Sequence, residues 1–327
     1  MVNSKKTSRI LPIATIIFSS SFAGAQQPYP NKPVHIIAPY TPGASTDVMA
    51  RMAGQKLAEK WGHQIVVENR GGGNTLIGTG AVAKAPADGY TYLWIATAFV
   101  TTPSLLSYLP YDPIKDFDGV ATFATTRNFL VLHPSVPVNT VQELIALAKS
   151  KPGQLNYASS GVGTGPHMSM ELFSMVAGVK MAHIPYKGTS QSVIDLIAGR
   201  VQLAFAGASS VIPHIKSGKL KAVAIGSENR SPALPQVPTF GEAGLPAYNR
   251  KDSWHGIVAP AGTPGAIIDK LSNEITKVLV MPDIQEYLTK QGMEGFISTP
   301  SQTTALIKAD IATYSKIVKF ANIKIDD

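Results

Sequence analysis

The chain has 327 residues, 29 lysines and arginines against 21 aspartates and glutamates, a formal net charge of +8, and no cysteine. The lack of cysteine excludes disulfides, zinc–thiolate sites and cysteine nucleophiles. The basic residues form no continuous block, so nucleic acid is not expected as a partner.

The first 25 residues have the three parts of a secretory signal peptide. A basic start (residues 5–9) precedes an apolar centre (residues 10–18), and Ala23-Gly24-Ala25 forms a small-x-small cleavage pattern. The apolar centre is too short to anchor a protein stably in a bilayer. We therefore expect residues 1–25 to be removed on export. The remaining 302 of the 327 residues suffice for two lobes of ordinary domain size.

The first strand-to-helix connection is the most distinctive stretch of the mature chain. An apolar strand is predicted at 34–38, and apolar residues at helical spacing follow at 48–57. The loop between them contains two prolines, Gly43 and a cluster of helix-starting residues, Ser45 to Asp47. A helix that begins this way directs unpaired backbone N–H groups at whatever lies before it, and such helix starts bind anions. The alternative is an ordinary capped connection without a ligand.

Strands and helices then alternate along the chain. Strands are predicted at 65–68 and 90–96, a glycine-rich turn at 69–74, and helices at 75–84 and near 103–108. Such alternation predicts a parallel sheet covered by helices. The apolar stretch at 117–133 is too long for one ordinary strand. We interpret it as a chain segment that leaves one sheet and enters a second one.

A second α/β unit repeats the same plan. A helix at 141–149 and a strand at 155–158 lead into a glycine-rich loop at 159–166, and a helix follows at 167–176. Further strands and helices alternate to residue 225, residues 227–252 form a connector, and a strand at 254–259 returns to the first sheet. Three helices close the chain, at 264–280, 282–291 and 301–320.

These elements predict an α/β fold of two lobes, with two mostly parallel sheets joined by hinge strands. Lobe 1 would contain residues 26–125 and 251–327, and lobe 2 residues 126–250. Each lobe then presents one glycine-rich loop and one helix start to the cleft between the lobes, where open α/β sheets bind ligands.

The sequence contains no convincing catalytic or cofactor motif. Pro166 stands where a dinucleotide fingerprint beginning at Gly161 needs glycine, and no Walker loop or nucleophile elbow is present. The seven histidines are scattered without metal-ligand spacing. We therefore expect a protein that is not an enzyme and that holds neither cofactor nor metal. His167 is expected to pack in the core or to hydrogen-bond a ligand.

Several motifs resemble those of the Bug-type receptors, the extracytoplasmic solute-binding proteins of tripartite tricarboxylate transporters. They extend over essentially the whole mature chain and include Pro39-Tyr40-x-Pro42-Gly43-x-x-x-Asp47, Val66-Val67-Glu68-Asn69-Arg70, Asp88-Gly89-Tyr90-Thr91, Tyr157-Ala158-Ser159-Ser160-Gly161-x-Gly163-Thr164-x-x-His167, Pro185-Tyr186-Lys187-Gly188 and Ala259-Pro260-Ala261-Gly262-Thr263-Pro264. The resemblance implies a two-lobe Venus-flytrap protein of the periplasm, type II-like. It would capture a small carboxylate and deliver it to a two-component membrane permease, and we expect a monomer.

The resemblance also implies which residues hold the ligand. In this family the two glycine-rich loops hold a carboxylate, largely through backbone N–H groups and bridging waters. Here they correspond to Tyr40, Thr41, Gly43, Ala44, Ser45 and Asp47 in lobe 1, and to Ser159, Ser160, Gly161, Gly163, Thr164 and His167 in lobe 2. Ala44 is a departure, because the family commonly has glycine there, and its methyl group leaves the detail of the loop open.

The far end of the ligand is expected to set specificity. Candidate residues follow the predicted strands or lie at the crossing between the lobes: Thr97, Phe99, Arg127, Asn128, Tyr186, Ala206, Gly207 and Ala208. Arg127 either pairs a second carboxylate of the ligand or is a surface arginine. The ligand itself stays open among di- and tricarboxylates, acidic amino acids and aromatic acids. Alternative functions are a sensory carboxylate-binding protein and a secreted hydrolase or isomerase on the same frame.

Overall fold

The computed structural model describes Met1 and residues 29–248 and 253–323. The predicted signal peptide lies outside these residues except for Met1, and so do residues 249–252 at the end of the connector 227–252, within which the second crossing is predicted. No helix in the described parts of the chain is both long and apolar enough to cross a membrane.

Two sheets form the frame of the molecule. The six-stranded sheet has the order β11-β4-β10-β3-β1-β2 and the five-stranded sheet the order β7-β6-β8-β5-β9. The strands are β1 (Val34–Ala38), β2 (Ile65–Asn69), β3 (Thr91–Ile95), β4 (Phe117–Thr126), β5 (Asn128–Leu132), β6 (Asn156–Ser159), β7 (Ala182–Pro185), β8 (Leu203–Gly207), β9 (Lys221–Ile225), β10 (Ser253–Pro260) and β11 (Met293–Gly295).

Ten α-helices in the described residues cover the faces of the two sheets. They are α1 (Ser45–Trp61), α2 (Leu76–Ala83), α3 (Thr97–Leu105), α4 (Val141–Ser150), α5 (Gly165–Ala177), α6 (Thr189–Ile197), α7 (Ala208–Lys216), α8 (Gly265–Leu279), α9 (Pro282–Lys290) and α10 (Pro300–Ala321). Thr140 caps α4 through its side chain, as its position before the apolar repeat predicts.

The two-lobe α/β architecture is confirmed, and so is the interpretation of residues 117–133. The chain runs through the six-stranded sheet as β4 and enters the five-stranded sheet as β5, with Arg127 between the two strands. β10 returns the chain to the six-stranded sheet. The exact lobe boundaries, 26–125 with 251–327 and 126–250, stay a prediction.

The expectation of mostly parallel sheets is wrong, because both sheets are mixed. Strands β1, β2 and β3 pair in parallel, and so do β6, β7 and β8. β10 runs antiparallel to both of its neighbours, β3 and β4, and β5 runs antiparallel to β8 and β9. The segments that carry the chain between the lobes therefore reverse the strand direction next to the parallel strands in each sheet.

Two local predictions also differ from the structure. The helix expected near residues 103–108 is α3, which begins at Thr97; the buried side chains of Phe99, Val100 and Leu105 hold this helix in the core across Pro103. β11 was not predicted, because its three residues show no apolar alternation and form a strand only by pairing with β4.

One helix connects the two halves of the molecule. α10 packs on α3 and β4 of the first lobe and on α5 of the second. Its Tyr314 and Ile317 belong to an apolar core that also contains Phe99 from one lobe and Phe173 from the other. Trp254 belongs to the same core, and its indole Nε1 donates a hydrogen bond of 2.8 Å to the carboxylate of Asp310.

Replacing Trp254 by phenylalanine should lower the free energy of unfolding more than the lost packing alone explains. The variant removes a donor to a buried carboxylate, and such charged hydrogen bonds contribute about 1.5–3 kcal/mol. Urea unfolding of the purified protein measures the change. Trp61→Phe is the matched control, because the indole nitrogen of Trp61 is buried without a hydrogen-bond partner. Equal losses in the two variants would contradict a stabilising role for the Trp254–Asp310 bond.

Candidate functional site

The loop before α1 is shaped by one buried carboxylate. Gly43 N–H donates to Asp47 Oδ2 at 2.9 Å, and the other oxygen accepts from Asn69 Nδ2 at 2.8 Å and Arg51 Nε at 2.9 Å. Gly43 has φ +81°, a conformation that favours glycine. Burial by itself raises the pKa of Asp47, but the hydrogen bonds from Gly43 and Asn69 and the charge of Arg51 outweigh it and lower the pKa. Asp47 therefore shapes the loop through both oxygens.

The loop before α5 has the same geometry with a different anchor. Gly163 has φ +77°, and its N–H donates to His167 Nδ1 at 3.0 Å, again to a side chain four residues ahead. The turns also correspond: Ala44 N–H donates to Thr41 O at 3.2 Å, and Thr164 N–H donates to Gly161 O at 3.4 Å. The two glycine loops of the sequence are thus two copies of one turn.

Both helices begin without a side-chain cap. The residue before the first helical turn is Ala44 in α1 and Thr164 in α5, and neither side chain accepts a hydrogen bond from its helix. Ala44 has φ −62° and ψ 153°, which any residue adopts, so its methyl group fits this backbone without strain. The first amides of both helices therefore receive no side-chain acceptor from the capping position, which leaves a partial positive charge at each helix start.

The starts of α1, α3 and α5 are linked through a few contacts. The hydroxyl of Tyr40, in the first loop, is buried close to the backbone of Ala96, and α3 begins at the next residue. Thr101 Oγ1 of α3 donates to the carbonyl of Gly163 in the second loop, at 3.4 Å. A Cβ atom placed on Gly165 would collide with Ser253 Oγ. Lobe 1, lobe 2 and the returning strand therefore approach one another at these helix starts.

Ser253 is a residue that the sequence analysis missed. It opens β10, directly after the connector, and its carbonyl accepts from Thr125 Oγ1 at 3.0 Å. The available signal was a polar residue at the point where the connector becomes an apolar strand. Thr97, which was predicted as a site residue, also lies near Gly165: its Oγ1 would be 3.8 Å from a Cβ on Gly165.

The second loop rests on a column of aromatic rings. His167 and His183 stack at 3.8 Å between ring centroids, and Tyr157 stacks on His183 at 4.8 Å. His183 Nε2 lies 2.6 Å from the hydroxyl of Ser159, and Tyr157 donates its hydroxyl hydrogen to Glu171. His183 was not predicted, because its place beside Tyr157 depends on the register of β6 with β7.

The loop residues differ in their exposure. Thr41 and Gly43 are exposed, whereas Ala44, Ser160, Gly161 and Thr164 are half-buried. Ser159, Gly163 and His167 are buried. The side chain of Ser45 lies outside the described part of the chain.

The residues expected at the far end of the ligand are not gathered into one cluster. Arg127 donates from Nε to Glu294 Oε2 at 3.0 Å, and its second guanidinium nitrogen contacts the same oxygen. Tyr186 donates its hydroxyl hydrogen to Asp195 at 2.8 Å, and Phe99 packs edge-on against Phe117 in the core. These three side chains thus have partners inside the protein.

The remaining candidates lie close to the crossing. Ala206 and Ala208 are buried, and Gly207 faces Thr126 and Asn128. Asn128 is 3% exposed and its Nδ2 lacks a hydrogen-bond partner. Arg127 and Ala208 also border a separate cleft of about 410 Å³ between α7 and the segment 292–295. In the parts of the chain that the structure describes, no cluster of three metal-binding side chains is present.

Two α/β lobes with matching loops at their junction define a two-lobe solute-binding protein. Residues 49–323 match the family described as the tripartite tricarboxylate transporter family receptor. The chain belongs to this family, which confirms the resemblance seen in the sequence.

Three relatives illustrate the likeness. Protein BugT of Bordetella pertussis is 36% identical over 299 residues, which cover 91% of this chain and 91% of BugT. The structure of Rpa4515 from R. palustris with adipate is 33% identical, has a TM-score of 0.74, and is matched over 91% of this chain and 100% of its own. MatC from Rhodopseudomonas palustris with bound malate is 28% identical, with a TM-score of 0.69, over 89% of this chain and 100% of its own.

Acid should destabilise the folded protein through its buried histidines. Burial lowers the pKa of His167 to about 3, with a further contribution from His183, and burial lowers the pKa values of His183 and His255 to about 4. Below the ordinary pKa of about 6.5, the unfolded chain binds protons that the folded chain does not. The contribution of these histidines to the free energy of unfolding is therefore fully present above pH 6.5. It falls towards pH 4, by at most about 1.4 kcal/mol per pH unit for each histidine.

Urea unfolding at several pH values between 7.5 and 4.5 measures this loss. Burial raises the pKa of Glu171, so protonation of this carboxyl favours the folded state as the pH falls. This single group opposes the effect of three histidines. His255→Asn should reduce the slope, since it removes one of the titrating rings. A free energy of unfolding that stays constant from pH 6.5 to 4.5 would contradict the prediction.

Proposed function

We propose that this protein is a periplasmic receptor that binds a small carboxylate between its lobes and, as a monomer, delivers it to a two-component membrane permease. Export would remove residues 1–25. The observation that carries the proposal is the pair of matching turns at the starts of α1 and α5, each with a glycine amide turned inward and no side-chain cap on the helix.

The geometry suits an anion because the uncapped N-termini of α1 and α5 each carry a partial positive charge. The carboxylate of Asp47 is occupied by Gly43, Asn69 and Arg51, so the loop does not offer a free negative charge to the ligand. Hydrogen bonds to a charged group contribute about 1.5–3 kcal/mol each. A micromolar affinity needs about 8 kcal/mol, so a few backbone and hydroxyl donors are sufficient.

The bound ligands of the two similar structures favour a dicarboxylate. Rpa4515 was solved with adipate and MatC with malate, and both ligands carry two carboxyl groups. In this chain, Arg127 is already paired with Glu294. The amide of Asn128, buried at the crossing without a partner for its Nδ2, is the better candidate for the second carboxylate.

A panel of mono-, di- and tricarboxylates, acidic amino acids and aromatic acids tests the proposal by thermal shift and calorimetry. A ligand that binds only the folded state raises the melting temperature by mass action. Adipate and malate are expected to be among the binders and to be recovered unchanged. Steady product formation by the purified protein, or no shift with any carboxylate, would overturn the proposal.

Ala44→Asp should separate binding from stability. Aspartate is a favourable residue before a helix and is expected to raise the free energy of unfolding by about 0.5–2 kcal/mol. Its carboxylate would occupy the amides offered to the ligand and repel an anion. Carboxylate affinity, measured by calorimetry, is therefore expected to fall by at least about a hundredfold, since the ligand loses its hydrogen bonds to these amides and is repelled by a like charge.

Pro264→Asp is the matched control for this variant. Pro264 holds the same position before α8, is exposed, and also provides no side-chain cap. It should leave carboxylate affinity unchanged. If Ala44→Asp is stably folded and binds as tightly as the parent protein, the start of α1 is not part of the ligand site.

A further inference from the structure

The column of Tyr157, His183 and His167 has a feature that the carboxylate site alone does not require. Two imidazole rings lie nearly parallel, 11° apart, with centroids separated by 3.8 Å. Tyr157 and His183 are register partners on β6 and β7, so the sheet itself sets the position of the middle ring. His167 is 2% exposed and reaches the column from the first turn of α5.

Each imidazole contacts one end of the second loop. His167 Nδ1 accepts from Gly163 N–H at 3.0 Å. His183 Nε2 lies 2.6 Å from Ser159 Oγ, which in turn accepts from Gly161 N–H at 3.1 Å. The segment from Ser159 to Gly163 is thus held at both ends by rings that are stacked on each other.

The geometry also sets the protonation of His167. Because Gly163 donates to Nδ1, that nitrogen carries no proton, and the proton of the neutral ring lies on Nε2, 4.0 Å from Glu171 Oε1. Two charged rings at this stacking distance would repel each other strongly. Burial lowers the pKa of both histidines well below neutrality, which agrees with an uncharged pair.

The first loop makes a useful comparison, since the same glycine amide is held there by an ionised side chain. The charge of Asp47 is balanced by Arg51, 2.9 Å away. His167 achieves the same backbone shape in the second loop without a charge and without a balancing cation. Because His167 is neutral, it does not cancel the partial positive charge at the N-terminus of α5.

We propose that His167 and His183 are positioning residues for ligand binding: their uncharged ring nitrogens hold the loop Ser159–Thr164 in the shape that receives an anion and add no negative charge beneath it. This inference rests on the proposed function. Neither ring needs to touch the ligand, because both act through Gly163, Gly161 and Ser159.

Two exchanges at one position test the role of His167. His167→Phe keeps an aromatic ring in the stack but removes the acceptor for Gly163 N–H. His167→Asn removes the ring but supplies an uncharged oxygen at the reach that Asp47 already uses for Gly43. Calorimetry with adipate and malate at neutral pH should show at least about tenfold weaker binding for the phenylalanine variant, the equivalent of one lost hydrogen bond. The asparagine variant should stay within about threefold of the parent protein.

Hydrogen exchange in the absence of ligand provides the second readout. Amides in the peptide that covers residues 159–164 should exchange faster in His167→Phe and in His183→Phe than in the parent protein, and at the parental rate in His167→Asn. His133→Asn is the control for the loss of an imidazole elsewhere in the same lobe; its ring contacts Ser135.

The two readouts separate the possible failures. If the parent protein binds no carboxylate, the proposed function fails, while hydrogen exchange still decides whether the rings hold the loop. If the parent protein binds and His167→Phe binds equally well, or if His167→Asn loses as much affinity as His167→Phe, the positioning role is overturned. Unchanged exchange in the phenylalanine variants would overturn it as well.

Discussion

The candidate site depends on one hydrogen bond that occurs twice: a glycine N–H that donates to the side chain four residues ahead. In both loops this bond turns a glycine with positive φ inward and ends the strand-to-helix turn at an uncapped helix start. Without it, the buried amide of Gly163 would be unpaired, at a cost of about 1–3 kcal/mol, and neither turn would have a fixed shape. The identity of the acceptor differs, Asp47 in one lobe and His167 in the other, while the backbone result is the same.

The two sheets bring these two turns close to each other. β1 and β6 deliver them at corresponding ends of two sheets, the crossing at Arg127 joins the sheets, and β10 returns the chain to the six-stranded sheet. α10 then packs on both halves and shares a core with them. The sheets are mixed because the hinge strands β10 and β5 run antiparallel to the parallel strands beside them, β3 and β8.

Much of this organisation could be predicted from the sequence, and the missing parts have a common cause. The alternation of elements, the long crossing segment and the repeated glycine loop are local patterns, and the structure contains all three. Asn69 beside Asp47, His183 beside His167 and Glu294 beside Arg127 are contacts between distant parts of the chain. They depend on strand register and edge pairing, which apolar periodicity does not encode. For the same reason the sequence did not reveal that Arg127 pairs with Glu294.

Recognition through main-chain amides has a consequence for how such a protein can change. A backbone N–H is present in every residue except proline, so most substitutions in the first turns of α1 and α5 leave the donors in place. The donors also carry no rotamers that must be ordered when a ligand binds. Under the proposed function, the head-group contacts would therefore tolerate mutation. Side chains that bind the other end of the ligand, with Asn128 as the proposed candidate, would be free to diversify towards carboxylates of different length.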